Sequence, residues 1–529
     1  MVNDTAILEA PPAASNKALS IAFLFATYLA FLGLRSALNR LQSKSDGLPF
    51  PPGPKGLPLI GNVLDMPRKN PFVKYTEWAE IYGDIVGLKI LGKPMVILNT
   101  YQAAKEILDK QSLIFSSRPR LPLVDMNSDW GSFLLLLPYG SQFQTSRRFM
   151  NSAVNPGAVR EVQSVIQEQA RTLLYRILKS PEFHQHNLLM QGAIILKIAY
   201  GHEVLDHDDH WIQVSEKATR CMEDLGNVGG HPVDLFPTIL GKLPLWVWGK
   251  KTKRTLEGVK QSGIDMHIRP YEVVKEKHAK GLAHPSMTTR LIDENMQYDG
   301  TVSNAHDIAW SAGAVYGGGS DTTTTSLDFF VMAMMLYPEV QKKAQEQLDK
   351  LLQHDRLPTF EDMENLPYIT ALMKETLRWR PIVPAGFPHL STQDAMYNNM
   401  HLPSGTIVLW NAWSILHDPE QYSHPEEFYP EHFLVPSEKQ PLDPEDVAFG
   451  FGRRVCPGRH LARTSLWIAM ASLLTLFEIS CPIDEEGDPI KPETNYIDGV
   501  VSHPKPFKSV FKPRSEGYLK VLMEEREAK

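Results

Sequence analysis

The stretch Phe449-Gly-Phe-Gly-Arg-Arg-Val-Cys-Pro-Gly458 decides the reading of this chain. It sets one cysteine, Cys456, among glycines, arginines and phenylalanines. A metal-binding thiolate needs such company. Glycines such as Gly452 and Gly458 let the backbone come close to the sulfur, so that amide N–H groups stabilise the anion. Arg454 favours the ionised thiol and can pair with an anionic cofactor. Phe449 limits water. A helix-like run, Leu461–Phe477, follows at once, and a thiolate at a helix N-terminus is favoured by the dipole. The competing reading is a buried structural cysteine.

The rest of the chain narrows the choice. It has 529 residues, 43% hydrophobic and 22% charged. That composition fits a packed core and excludes whole-chain disorder, collagen-like repeats and a polytopic membrane protein. Net charge is −7, so there is no chain-wide basic surface for nucleic acid. The three cysteines, Cys221, Cys456 and Cys481, cannot build a disulfide framework, and no Cys-x-x-Cys pair offers a zinc site. Cys221 and Cys481 lack special surroundings and read as structural.

Residues 18–34 form an uncharged apolar run of the length needed to cross a hydrocarbon layer. Arg35, Arg40 and Lys44 follow it, so the body is expected on the cytoplasmic side. The run is longer than a signal-peptide core and lacks an Ala-x-Ala end. The expected organisation is a short luminal N-terminus (1–17), a transmembrane anchor (18–34), a basic and proline-rich linker (35–58) and a catalytic body (59–529). The prolines of 48–58 predict a stiff, extended, non-helical segment.

Along the body, Gly83–Asn99 predicts a hairpin around Gly92-Lys-Pro94. Pro156–Leu178, Arg254–His278, Ser303–Leu352 and Tyr368–Arg380 carry helical patterns, with Glu339–Leu352 an exposed amphipathic helix. Thr406–Leu409 and Tyr518–Leu522 look strand-like. The expected fold class is mainly α with a small β portion.

The Cys456 segment resembles the haem-binding loop of cytochrome P-450 enzymes, Phe-x-x-Gly-x-Arg-x-Cys-x-Gly. All five specified positions match, where chance matches are on the order of 10⁻⁴ at near-average residue usage. The resemblance implies haem b with Cys456 as the axial iron ligand and Phe449, Gly452 and Arg454 as cofactor-binding residues. A thiolate-held haem favours O–O cleavage. Other landmarks of the family fall in order. Glu375 and Arg378, at i, i+3 on one helix face and with Arg378 78 residues before Cys456, match its structural ion pair. The usual arginine of a Pro-Glu-Arg-Phe segment is His432 here. Gly318-Gly-Ser-Asp321-Thr322 resembles the oxygen-binding helix, with Asp321 and Thr322 as the proton-relaying acid–alcohol pair. Three successive glycines at about 1 kcal/mol each suggest a local opening in that helix. Arg147 and His389 match propionate-binding positions. The tryptophan and second arginine that accompany Arg147 in the family are Phe143 and Gln144 here.

No dinucleotide fingerprint is complete: Gly450-Phe-Gly452 fails at its third glycine. Electrons are therefore expected from outside, from NADPH through a membrane-bound cytochrome P-450 reductase, which Arg453, Arg459 and Arg463 could dock. The resemblance implies an endoplasmic-reticulum monooxygenase using O2. The family's variable substrate segments map to Ser112–Leu137, Asp224–Trp248, Ala312–Gly319, Ile382–Phe387 and Val500–Val510, which are rich in apolar residues. They imply an apolar small-molecule substrate arriving from the membrane. Residues 51–67 and 502–507 are similar to fungal enzymes of secondary metabolite biosynthesis, of the O-methylsterigmatocystin oxidoreductase type. Terpenoid, steroid-like and polyketide-derived scaffolds remain open. So do two other functions, an oxygen-independent haem-thiolate isomerase or dehydratase and a non-catalytic haem-binding protein.

Overall fold

A computed structural model describes residues 47–121, 129–206, 208–226, 249–499 and 501–528. The expected anchor and luminal segment lie outside the described residues. Among the described residues no helix is long and apolar enough to cross a membrane.

The architecture is mainly helical with a small β portion. Its main helices are α1 (Pro71–Tyr82), α2 (Ser141–Val154), α3 (Gln163–Lys179), α4 (Phe183–Tyr200), α5 (Ala305–Leu336), α6 (Pro367–Trp379), α7 (Arg459–Leu476) and α8 (Glu516–Glu527). Helix α5 is the axis. It is buried along Ile308–Tyr316 and again along Thr323–Met335. A helix apolar on all sides must be surrounded, and α5 packs against α2, α4, α6 and α7. It stops where Pro338 forces Tyr337 out of the helical region, at φ −126° and ψ 67°. Pro338 then starts the next helix, Pro338–Leu352, which buries Val340, Ala344, Leu348 and Leu352 on one face. The expected Ser303–Leu352 rod is thus two helices.

The glycines of α5 do not open it: the helix runs unbroken through Gly317–Gly319. They serve close packing instead. A Cβ on Gly317 would run into Met266, and one on Gly319 into Ile195 of α4, whereas Gly318 faces open space. Met266 belongs to a π-helical turn, Ile264–Ile268, between the helices Gly249–Gly263 and Arg269–Ala279.

The expected hairpin is present. Strand β1 (Ile85–Ile90) pairs antiparallel with β2 (Lys93–Leu98), Ile85 opposite Leu98. The edge strand β3 (His389–Leu390) precedes a small hairpin, β4 (Ala395–Tyr397) with β5 (Met400–Leu402). Strand β6 (Ile407–Trp410) joins β2 in parallel and β3 antiparallel, giving the order β1-β2-β6-β3. Two further ribbons pair β7 (Phe477–Ser480) with β10 (Val510–Pro513), and β8 (Tyr496–Ile497) with β9 (His503–Pro504). The proline-rich segment is extended as expected and lies on β1, the Gly87 N–H donating to the Pro52 carbonyl at 2.7 Å.

Two further expectations are corrected. Pro156–Leu178 breaks at Val162, whose φ of −103° and ψ of 6° fall outside the helix. Tyr518–Leu522 is not a strand but part of α8. Ser515 caps that helix by accepting the Tyr518 N–H, and Tyr518 and Leu522 are buried together. Their i, i+4 spacing is the helical period, which outweighs the β-forming character of the residues between.

Candidate active site

The Cys456 loop, α2, α5 and α7 enclose a cavity of about 350 Å³ with a mainly apolar lining. Cys456 and Phe449 line it from the loop, Phe143 and Arg147 from α2, and Ala314, Gly318, Asp321 and Thr322 from α5. Four of the five expected substrate segments contribute, for example through Leu135, Val315, Phe387 and Val501. The remaining segment lies mostly outside the described residues. Gln191, Ala218 and Thr219, which no motif marks, also line the cavity.

The loop is shaped by its backbone. The Cys456 N–H donates to the Phe449 carbonyl at 2.7 Å, closing the turn. The N–H groups of Gly458 and Arg459 point at the sulfur, and Arg147 and Arg459 act on it by charge. Burial outweighs them and pushes the Cys456 thiol up. The protein alone therefore holds a thiol, and a bound metal cation, which deprotonates a coordinating thiol, supplies the missing stabilisation. Gly452 has a different part from the one expected. It sits at φ +54°, away from the cavity, where a Cβ would collide with the Leu108 carbonyl and meet the Ser112 Cβ at 3.0 Å. It pins the loop to the 105–115 segment rather than approaching the sulfur.

The cations around the cavity are the second feature. Arg454 lines it, but three of its five N–H groups are spent on backbone carbonyls: Ser116 (2.6 Å), Leu134 (3.2 Å) and Leu137 (2.6 Å). Its guanidinium lies over Phe143, 3.8 Å from the ring centroid. The phenylalanine that stands where the family has tryptophan thus supports the arginine by its face. Burial pulls Arg454 down to about 9, with Arg147 adding to the effect. Arg118, which sequence reasoning missed, is a second buried guanidinium. It donates to Leu135 (3.1 Å), Phe387 (3.3 Å) and Pro388 (2.6 Å) carbonyls, and burial, then Arg454, lowers it. His389 is buried, its Nδ1 against the Phe115 carbonyl at 2.7 Å and its Nε2 without a hydrogen-bond partner. Gln144 is exposed and turns to Tyr139. Arg453, Arg459 and Arg463 stand near the loop, with Arg463 3.7 Å from Glu445.

Haem fits this set. It is a flat apolar dianion with a metal centre. Here one sulfur faces an apolar cavity lined by the guanidiniums of Arg118, Arg147, Arg380 and Arg454, the orphaned His389 nitrogen belongs to a ring that feels the Arg118 charge, and among the described residues no carboxylate forms an ion pair with those arginines. Buried cations without counter-charge are costly, so an anionic ligand answers them.

Behind the cavity, Glu375 and Arg378 form the expected pair, both fully buried. Arg378 donates to Glu375 from Nε (2.8 Å) and Nη2 (2.6 Å), and to the carbonyls of Leu416, Pro425 and Glu427. Glu375 also accepts the Tyr429 N–H at 2.8 Å. His432 takes the third place, with Nδ1 3.3 Å from Glu375 Oε2 and Nε2 against the Ser423 carbonyl. Thr322 Oγ1 donates to the Gly318 carbonyl at 2.7 Å. The cysteines are free; Cys481 is buried and Cys221 half-buried.

Comparison with known proteins agrees with this geometry. The family model for cytochrome P450 matches residues 51–511. The chain is 40% identical over 471 residues to cytochrome P450 monooxygenase claR of Ampulloclitocybe clavipes, covering 88% of this chain and 87% of that one. It is 38% identical over 481 residues to monooxygenase COX2 of Coprinopsis cinerea, covering 90% and 91%. It is 37% identical over 475 residues to monooxygenase 208 of Postia placenta, covering 88% and 91%. The thiolate loop, the buried ion pair behind it and similarity along almost the whole body make the chain a cytochrome P450 monooxygenase, of the fungal kind.

Proposed function

We propose that this enzyme is anchored in the endoplasmic-reticulum membrane by residues 18–34, with its body facing the cytoplasm. There it oxidises an apolar natural product of fungal secondary metabolism, taking electrons from an NADPH–cytochrome P450 reductase. The observation that carries the reading is the cavity itself: a cysteine sulfur and several buried arginines in a mainly apolar lining. A terpenoid, steroid-like or polyketide-derived scaffold suits that lining.

Haem, when bound, supplies the activation of O2. The chain supplies the rest. Cys456 Sγ would hold the iron, and Arg118, Arg147, Arg454 and His389 would answer the propionates. Phe133, Leu134, Ile382 and Phe387 orient an apolar substrate and exclude water. Asp321 would pass protons toward the reaction centre, with Thr322 joining once its hydroxyl turns from the Gly318 carbonyl to which it donates here.

The test is spectroscopic. Cys456→Ala should abolish thiolate-type haem absorption; survival of that spectrum removes the ligand assignment. In membranes free of reductase, addition of terpenoids, steroids, polycyclic aromatics and fatty acids one at a time should shift the haem from low to high spin for one class only. Turnover without NADPH or reductase would point to an oxygen-independent isomerase instead.

A further inference from the structure

His503 lies on β9, within the expected substrate segment Val500–Val510, and was not itself singled out by the sequence. Its Nδ1 is 3.0 Å from Thr325 Oγ1, and its Nε2 is 3.5 Å from Asp321 Oδ2. Asp321 and Thr325 are one turn apart on α5. Thr325 is buried, and its single hydroxyl hydrogen goes to the Asp321 carbonyl at 2.9 Å. With that hydrogen so placed, Oγ1 accepts from the His503 Nδ1–H. His503 Nε2 then faces Asp321 Oδ2 as an acid–base pair, and a proton taken up by the ring sits beside the carboxylate.

The position suits a relay. Asp321 lines the cavity and His503 does not. Both side chains are about a fifth exposed, 22% and 23%. A proton accepted by His503 from water can thus pass to Asp321 without any charge crossing the apolar wall. The reaction needs this. One oxygen atom enters the substrate and the other leaves as water, so each turnover takes up two protons together with the two electrons from NADPH.

We infer that His503 is the positioning and proton-supplying partner of Asp321, the outer member of a His503–Asp321–Thr322 path. The inference rests on the role given above to Asp321 and Thr322. Other charges stand nearby. On α5 and α4, Asp328 is paired with His184 at 2.7 Å, and Asp321 and Glu216 act on His184 at longer range. Two residues along from His503, Lys505 is paired with Glu493 at 2.5 Å.

The experiment uses the full chain, loaded with haem and supplied with reductase and a converted substrate. His503→Gln keeps the size and polarity but cannot hold the extra proton. It should leave the thiolate spectrum and the substrate-induced spin shift as in the wild type. Product formed per NADPH should fall roughly two- to fivefold, the scale of a partly exposed ion pair. One inflection should vanish from the pH profile of coupling. Wild-type coupling and pH profile in His503→Gln overturn the inference. Thr322→Ala separates the two claims: uncoupling there with His503→Gln unaffected removes His503 alone, whereas unchanged coupling in Thr322→Ala removes the relay itself. A second readout needs no turnover. Hydrogen exchange at the His503 imidazole carbon, followed by mass spectrometry, reports its pKa. Asp321→Asn should lower that pKa, because a carboxylate beside the ring favours its cation; an unchanged value overturns the pairing.

Discussion

Replacing Gly452 by alanine tests the new part given to this residue. The backbone there sits at φ +54°, a region that costs an L-residue roughly 1–2 kcal/mol. The added methyl would also run into the Leu108 carbonyl and the Ser112 Cβ, and overpacking of this kind typically costs about 1–3 kcal/mol. The loss should therefore be about 2–5 kcal/mol. Gly452→Asn divides the two contributions, since asparagine tolerates positive φ but is no smaller than alanine. If the collision dominates, Asn does as much harm as Ala. The assay is urea unfolding of the purified enzyme, followed by thiolate-haem absorption and by far-ultraviolet circular dichroism. Haem absorption should be lost at lower urea in both variants, with the loop yielding before the helices. A wild-type midpoint in Gly452→Ala would refute the reasoning. Full recovery in Gly452→Asn would leave the dihedral angle as the whole effect.

Glu375→Gln leaves Arg378 buried beside a neutral amide, and breaking such a pair costs about 3–5 kcal/mol. The variant should lose haem and the thermal transition together, which scanning calorimetry beside the absorption spectrum would show. Arg118→Leu should weaken haem retention, read as faster transfer of haem to an apo-globin acceptor, because one buried guanidinium facing the propionates is gone. The hydrogen bond to Asp328 holds His184 above its ordinary value. Its stabilisation is therefore complete below the unfolded pKa of about 6.5 and is lost as pH rises through the folded value. The side chain is largely exposed, so the effect is small. His184→Gln should flatten the melting temperature between pH 6 and 8, and an unchanged slope would discount the pair.

The thiolate loop and the buried ion pair were legible because each depends on residue types at fixed short spacing. Cys456, Glu375 and Arg378 all stand where their motifs put them. Arg118 was not legible. Nothing in Ser-Arg-Pro distinguishes a surface arginine from a buried one, and its meaning arises only when the chain brings the carbonyls of Leu135, Phe387 and Pro388 to it. His503 is alike: its partner lies 182 positions back along the chain, on α5. The glycines of α5 were correctly singled out as costly, but the compensation is contact with Met266 and Ile195, which no local pattern reveals. Helix α8 reads as a strand from Tyr518 and Val521, which favour strands, while the i, i+4 burial of Tyr518 and Leu522 decides otherwise.

Three of the guanidiniums that line the cavity also bear on how the enzyme is put together. Arg118, Arg147 and Arg454 repel one another in the protein alone, and two of them hold the backbone at 116 and 134–137 in place. A dianionic cofactor turns that repulsion into attraction. The wall they fasten is therefore a late piece of the assembly, tightened after the cofactor has arrived rather than before. Freshly made chains lacking haem should be cut first at this wall, while α5 and α7 are already protected. Cofactor supply would then set how much of the newly made protein survives, before any substrate is met.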